Sequence, residues 1–316
     1  MRAAITGGAG FIGSHLADAL VERGDEVAVL DDFSTGRREN VNPATRYVAG
    51  SVTDPGAVAS ALAGAEVVFH LAARGAVGRS IADPVGTNRV NVEGTLNVLV
   101  QARDAGVRRA IFASSSSVYG ATEQLPTPEG APLSPRSPYA VSKLASERYC
   151  AVFSDLFALE TVVLRYFNVF GPRQRADSTY AAVIPRFASA LLAGQRPTIH
   201  GDGTQSRDFT YVADVVAATI SAAEAPAALS GSTLNAAPGQ PHTVLELLTA
   251  LGQVMGVNPD PIFTDPRPGD IRASWANSQA ARASLRWSPS VTLVEGLRRY
   301  VAWLTSEKAS SSSWNS

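Results

Sequence analysis

The chain has 316 residues, 45% of them hydrophobic and 17% charged, and 27 Lys and Arg against 28 Asp and Glu leave a formal net charge of -1. That length and apolar content suit a globular chain with a large core in two lobes, and the near-neutral balance excludes an electrostatic case for nucleic acid or an anionic membrane surface. A single cysteine, Cys150, excludes an intramolecular disulfide and sets a reducing cytoplasm as the expected compartment.

No apolar run approaches a membrane span, and the apolar stretch in MRAAITGGAG is too short for a signal peptide. His15, His70, His200 and His242 are scattered without ligand spacing, so no metal is expected. In chain order, residues 3–6 read as an apolar strand, followed by a glycine turn and a helix through Phe11, Ile12, Leu16, Ala19 and Leu20. Further strands are expected at 26–30, 46–49, 67–71, 109–114 and 161–165, with helices at 55–63, 88–105 and 139–157 between them. Strands rich in Val and Ile that alternate with helices point to a doubly wound parallel sheet. After Asn168 the texture changes, and segments rich in Gly, Pro, Arg and Asp interrupt helices at 181–192, 244–255 and 293–305. This predicts a smaller, irregular α/β lobe over the carboxyl edge of the sheet, where such folds bind ligands. The expected division is 1–167, with returning segments at about 208–240, against 168–207 and 241–307, and a disordered tail at 308–316.

Three motifs carry chemistry. TGGAGFIG sets Gly7, Gly10 and Gly13 between a strand and a helix, where the chain turns tightly and offers its amides to a pyrophosphate. Asp31 follows at the end of the second strand, where a carboxylate accepts hydrogen bonds from an adenosine ribose and repels a 2′-phosphate, favouring NAD over NADP. The serine cluster ASSSSVYG, 113–120, follows the fifth strand, and SPYAVSK, 137–143, puts Tyr139 and Lys143 one helical turn apart on one face. The lysine is expected to lower the tyrosine's pKa, so that the phenolate removes a proton near neutral pH while Ser115 shares the same substrate oxygen. Taken singly, these are a tight turn, a polar loop and a surface Tyr/Lys pair. Together they specify a redox site.

The same motifs resemble the extended short-chain dehydrogenase/reductase superfamily, and within it the NAD-dependent nucleotide-sugar epimerase/dehydratase family. The resemblance runs nearly end to end, through TGGAGFIGSHL, DDFSTG, HLAA, NVEGTLNVL, SSSSVYG, YAVSK, RYFNVFGPRQ, GDGTQSRDFTYVADV and RPGD. It implies a Rossmann-type sheet, NAD as cofactor and a UDP-sugar as substrate. By the same resemblance Gly7, Gly10, Phe11, Ile12, Gly13, Asp31, Ser34 and Gly36 contact NAD, and Asn91 braces that site. Lys143 binds the nicotinamide ribose and Tyr166 lies beside the nicotinamide. Asn168, Arg207 and Arg267 take the diphosphate and ribose of the donor, with Asp270 close by. Ser51 stands where the family usually has an aspartate for adenine.

A 4-keto sugar formed at this site has two fates, readdition of hydride on its other face or elimination of water. In the family's dehydratases an Asp-Glu pair follows the serine or threonine; here Ser116 and Ser117 follow Ser115, too weakly acidic or basic for elimination. The expectation is therefore C4 epimerisation, with dehydration and a non-catalytic NAD-binding regulator as alternatives. Ser274 aligns with a position where a bulky tyrosine excludes N-acetyl sugars, which leads towards UDP-glucose or UDP-N-acetylglucosamine. Arg175 matches an arginine of UDP-glucuronate 4-epimerases, and with Ser116 and Ser117 it offers a carboxylate clamp. Family members pair through two helices, so a homodimer is expected through the helix from Tyr139 and the one carrying Leu96, Val98, Leu99 and Val100.

Overall fold

The computed structural model describes residues 1–175, 181–266 and 270–312, with side chains through 307. The first half runs β1 (Arg2–Thr6), α1 (Phe11–Glu22), β2 (Glu26–Asp31), β3 (Arg46–Ala49), α2 (Pro55–Leu62) and β4 (Val67–His70). It continues with α3 (Val77–Ala82), α4 (Pro84–Asn88), a π-helical turn at Arg89–Glu93, α5 (Gly94–Asp104), β5 (Arg109–Ser115), α6 (Pro138–Leu156) and β6 (Glu160–Tyr166). The second half contains β7 (Val169–Phe170), α7 (Val183–Leu192), β8 (Thr198–His200), β9 (Ser206–Asp208), β10 (Thr210–Tyr211), α8 (Val212–Glu224) and β11 (Ser232–Ala236). It closes with β12 (Pro241–Thr243), α9 (Val244–Met255), β13 (Ile262–Thr264), β14 (Ala273–Ser274), α10 (Gln279–Leu285) and α11 (Leu293–Ser312).

Seven parallel strands form the central sheet in the order β11-β6-β5-β4-β1-β2-β3. The winding reverses between β1 and β4, which is the switch point where doubly wound sheets open a crevice at their carboxyl edge. Successive strand residues face opposite sides, so adjacent apolar residues serve two cores. Ile5, Val29, Phe69, Ile111 and Val162 face α1 and α8, with Leu16, Leu20, Val215 and Ala222 in that layer. Ala4, Leu30, Val68, Phe112 and Val163 face the other way, onto Val58 and Leu62 of α2, Val98 and Leu99 of α5, and Cys150 and Phe153 of α6. Cys150 is thus a packed side chain, and burial pushes its thiol up to about 12.

The returning segments expected at about 208–240 resolve into α8, packed against α1, and β11, the edge strand beside β6. Around them lie small sheets, β12-β9-β14 and β13-β8, with α7 and α9 packed together. A capping box starts α9: Glu246 donates its amide to the Thr243 hydroxyl at 3.1 Å, and the Glu246 carboxylate accepts from the Thr243 amide at 2.8 Å. No helix among the described residues is long and apolar enough to cross a membrane.

Three expectations are corrected. The helix expected over 88–105 is interrupted by the π turn at Arg89–Glu93, a widening that frees a backbone carbonyl for side-chain donors. The last helix continues through Ser312, into the stretch expected to be a tail. Val98 and Leu99 are fully in the core, with Leu96 and Val100 packed against it. The uncovered apolar face lies instead on α3, α4 and α6, where Ile81 is 64%, Val85 79%, Val152 44% and Leu156 70% exposed.

Candidate active site

Helix α6 begins sharply. Pro138 occupies its first turn, and the Ser137 hydroxyl caps it by accepting from the Ala140 amide at 3.1 Å. This cap fixes Tyr139 and Lys143 on one face, pointing into a cleft also lined by Gly7, Gly10, Phe11, Ile12, Gly13, Asp31, Ser34, Ala113, Ser114 and Tyr166. Strands β5 and β6 end in register, Ser115 beside Tyr166. The Tyr139 hydroxyl hydrogen-bonds the Ser115 side chain. Lys143 is 3% exposed; its ammonium donates to the Ala113 carbonyl at 2.7 Å and sits 4.7 Å from the centre of the Phe112 ring.

The expected lowering of the Tyr139 pKa by Lys143 is corrected. Burial pushes the Tyr139 phenol above its ordinary value, opposed by the bond to Ser115, and burial also brings Lys143 down to about 8. The lysine does not lower the phenol because its ammonium is turned to the Ala113 carbonyl and desolvation outweighs it.

Asn91 lines neither cleft and works from behind. Its side chain accepts the Arg74 amide at 2.7 Å and donates to Ser142 at 2.9 Å, whose hydroxyl donates to the Tyr139 carbonyl at 2.8 Å. The π turn leaves the Asn91 carbonyl free to accept from Ser146 at 2.9 Å and from Thr95. Tyr166 is buried in the cleft wall, its hydroxyl 2.7 Å from that of Thr219, and burial pushes its phenol up. Gly36 packs on Ala9 and Asp31, where a Cβ would lie 2.9 Å from each.

The second cleft lies between the sheet edge and the second lobe, and is lined by Asn168, Phe170, Gln174, Arg186, His200, Gln205, Arg207 and Asp270, among others. Asn168 has a left-handed backbone, φ 32°, and its amide donates to the Asp208 carbonyl at 3.0 Å. Arg207 donates to Asp270 at 2.7 Å and stands in register with Ser274 of β14. Ser116 and Ser117 form the 3₁₀ turn after β5; the Ser117 hydroxyl is buried with no hydrogen-bond partner among the described residues. Arg175 is exposed just beyond Gln174, and Arg267 lies outside the described residues.

The sequence reading passed over Thr35 and Ser114 in the first cleft and Gln174, Arg186, His200 and Gln205 in the second. It also passed over Glu147 and Arg165, a buried ion pair beside Lys143 with N–O distances of 2.7 and 2.9 Å. A signal for Glu147 existed: 139, 143 and 147 share one helical face.

Residues 3–237 match the family described as the NAD dependent epimerase/dehydratase family. The chain belongs to that family. It is 41% identical over 308 residues to the UDP-glucose 4-epimerase of Mycolicibacterium smegmatis, covering 95% of this chain and 97% of the relative. Its fold matches a UDP-glucose 4-epimerase with UDP-glucose from Thermotoga maritima with a TM-score of 0.93 and 36% identity, over 98% of this chain and 100% of that one. A UDP-N-acetylglucosamine 4-epimerase from Methanobrevibacter ruminantium M1, in complex with UDP-N-acetylmuramic acid, matches with a TM-score of 0.92 and 37% identity, over 97% and 98% of the two chains.

The cofactor of an NAD-dependent family member fits the first cleft. Gly7, at φ +75°, leaves no room for a side chain, since a Cβ there would lie 2.7 Å from the Ala72 amide, and one on Gly13 would lie 2.1 Å from the Gly7 carbonyl. Helix α1 begins at Gly10 with no side-chain cap, so its first amides stay available to a pyrophosphate. Asp31 stands at the adjoining strand end, held by the Ala9 and Phe33 amides at 2.9 and 2.8 Å, with lone pairs left for a ribose.

Proposed function

We propose that this chain is an NAD-dependent UDP-hexose 4-epimerase whose proton transfer is carried by Tyr139, assisted by Ser115 and Lys143. The observation that carries this reading is that Tyr139, beside Ser115, lines the first cleft together with Lys143 one turn behind, with no carboxylate at Ser116 or Ser117. Bound NAD supplies a hydride acceptor that returns the hydride to the sugar. Ser115 holds the sugar O4, and Tyr139 as phenolate takes the O4 proton and returns it to O4 as the hydride is restored to the other face of C4. The ammonium of Lys143 offsets the phenolate's charge. The UDP moiety occupies the second cleft, with Arg207 and Asn168 turned to the diphosphate and ribose, and the 4-keto sugar rotates between the two clefts.

The lead substrate is UDP-glucose or UDP-N-acetylglucosamine, supported by the small Ser274 beside Arg207. UDP-glucuronate is the second reading, favoured by Arg175 next to Gln174 in the second cleft. Anomeric-proton NMR with all three sugars tests the ranking, in the native protein and in Arg175→Ala. A carboxylate substrate loses a contact of about 1.5–3 kcal/mol in that variant, roughly ten- to over a hundredfold in affinity, and a neutral one loses much less. Glucuronate turnover that collapses in Arg175→Ala reverses the ranking, and a 4-keto-6-deoxy product replaces the epimerase by a dehydratase.

The protein works as a cytoplasmic homodimer through the apolar face of α3, α4 and α6, whose exposed Ile81, Val85, Val152 and Leu156 suit a second copy of the same face. Sedimentation at micromolar concentration should give a dimer, and Leu156→Glu a monomer; a monomeric native protein contradicts this assignment.

A further inference from the structure

Behind Lys143 lies a charged cluster that the reaction as described does not use. Glu147 follows Lys143 by one turn on the same face of α6, and it is only 5% exposed. Its carboxylate accepts from Arg165 of β6 twice, at 2.9 Å from Nε and 2.7 Å from Nη2, and from the Ser114 hydroxyl at the end of β5. Arg165 also donates to the Tyr119 hydroxyl at 2.8 Å, and Tyr119 donates to Asn235 of β11 at 2.7 Å. Replacing a buried ion pair by apolar side chains is often neutral or stabilising, so stability alone does not account for placing one here.

We propose that Glu147 is a positioning residue for catalysis: clamped by Arg165, it locks the Ser114–Ser115 strand end against the helix bearing Tyr139 and Lys143, and its charge holds Lys143 as an ammonium. The inference rests on the catalytic roles proposed above for Tyr139 and Lys143. Two arrangements of the pair have the same total charge. In one, the phenolate stands beside an ammonium and accepts the sugar proton; in the other, the phenol stands beside a neutral amine and is inert. A nearby negative charge favours the first. The titratable groups that act on Lys143 are Cys150 and Glu147 from its own helix and His70 from β4, with Tyr139 one turn ahead on the same helix. Burial holds His70 neutral, down to about 3, and Cys150 as a thiol, pushed up to about 12, so Glu147 is the carboxylate among them. Arg165 neutralises part of that charge, and its two-pronged grip leaves the carboxylate a single orientation.

The test is the pH dependence of turnover in Glu147→Gln and in Glu147→Gln/Arg165→Gln, which removes both charges and leaves two amides able to bond each other. We expect kcat to fall about tenfold, both limbs of the pH profile to move to lower pH by roughly one unit, and KM for the UDP-sugar to change little. Tyr119→Phe removes a bond to Arg165 and leaves the carboxylate, so its pH profile should match the native one. Unchanged kcat and pH profile in the neutral variants, with only a lower melting temperature, would overturn the proposal. Should the neutral variants not fold, Glu147→Asp decides: the charge remains but its grip is shortened, so lowered kcat with unmoved limbs supports the proposal and native kcat overturns it. Tyr139→Phe run alongside separates the two levels, because full activity there removes the catalytic reading itself.

Discussion

In the first cleft the groups assigned to chemistry stand at the carboxyl ends of β1, β2, β5 and β6 or in the first two turns of α6, whereas Asn168, Arg207 and Asp270 of the second, with Ser274 beside Arg207, sit on strands of two or three residues and the loops between them. The first set is held by long parallel ladders and a capped helix. The second is held by side chains reaching across the chain: Asp208 accepts the Gly239, Gln240 and Ala276 amides at 2.9, 3.3 and 3.1 Å, and Arg207 meets Asp270 at 2.7 Å. Rigid elements suit groups whose geometry sets a rate, while adaptable loops suit groups that only bind. Substitutions in the first cleft should therefore lower kcat, and those in the second should raise KM.

The largest separation is expected from Tyr139→Phe. It should lower kcat by at least ~10²-fold, with melting temperature and bound NAD unchanged, because only the proton acceptor is lost. Steady-state kinetics and the absorbance of the purified protein check both halves. Next in size, Arg207→Ala should raise KM about ten- to a hundredfold, with kcat changed much less. A drop confined to kcat would place Arg207 with the chemistry and erase the contrast between the clefts. Asp208→Asn replaces an acceptor by a donor in front of backbone amides, and should cost about 1–3 kcal/mol of stability in denaturant unfolding. The smallest effect is in pH. Because burial brings Lys143 down to about 8, its ammonium is lost as pH rises through that value. Since kcat/KM follows the free enzyme and the ammonium is the form that supports the phenolate, it should fall as pH rises through that value.

The same contrast explains what was legible in the sequence. Strand β3 and helix α9 lie where the pattern put them, and Gly7, Asp31, Tyr139 and Lys143 line one cleft, because local turns, caps and two-residue alternation determine them. Three things were not legible. Tyr139's own pKa depends on desolvation by the whole sheet edge, which no spacing of Tyr and Lys reports. The π turn at Asn91 looks like ordinary helix in a one-dimensional pattern, because its extra residue changes only which carbonyl is free. Arg165 lies in an apolar strand and meets Glu147 only because β6 packs under α6, so neither residue advertises the pair alone.

The central claim is that the hydride leaves C4 and returns to C4, with Tyr139 moving only the proton. Incubating the native protein with UDP-glucose or UDP-N-acetylglucosamine carrying deuterium at C4, in ordinary water, tests it directly by NMR. The account predicts a C4-inverted product that retains the full label at C4, with no net change in NAD. Loss of the label to solvent, or a 4-keto-6-deoxy product, would contradict it.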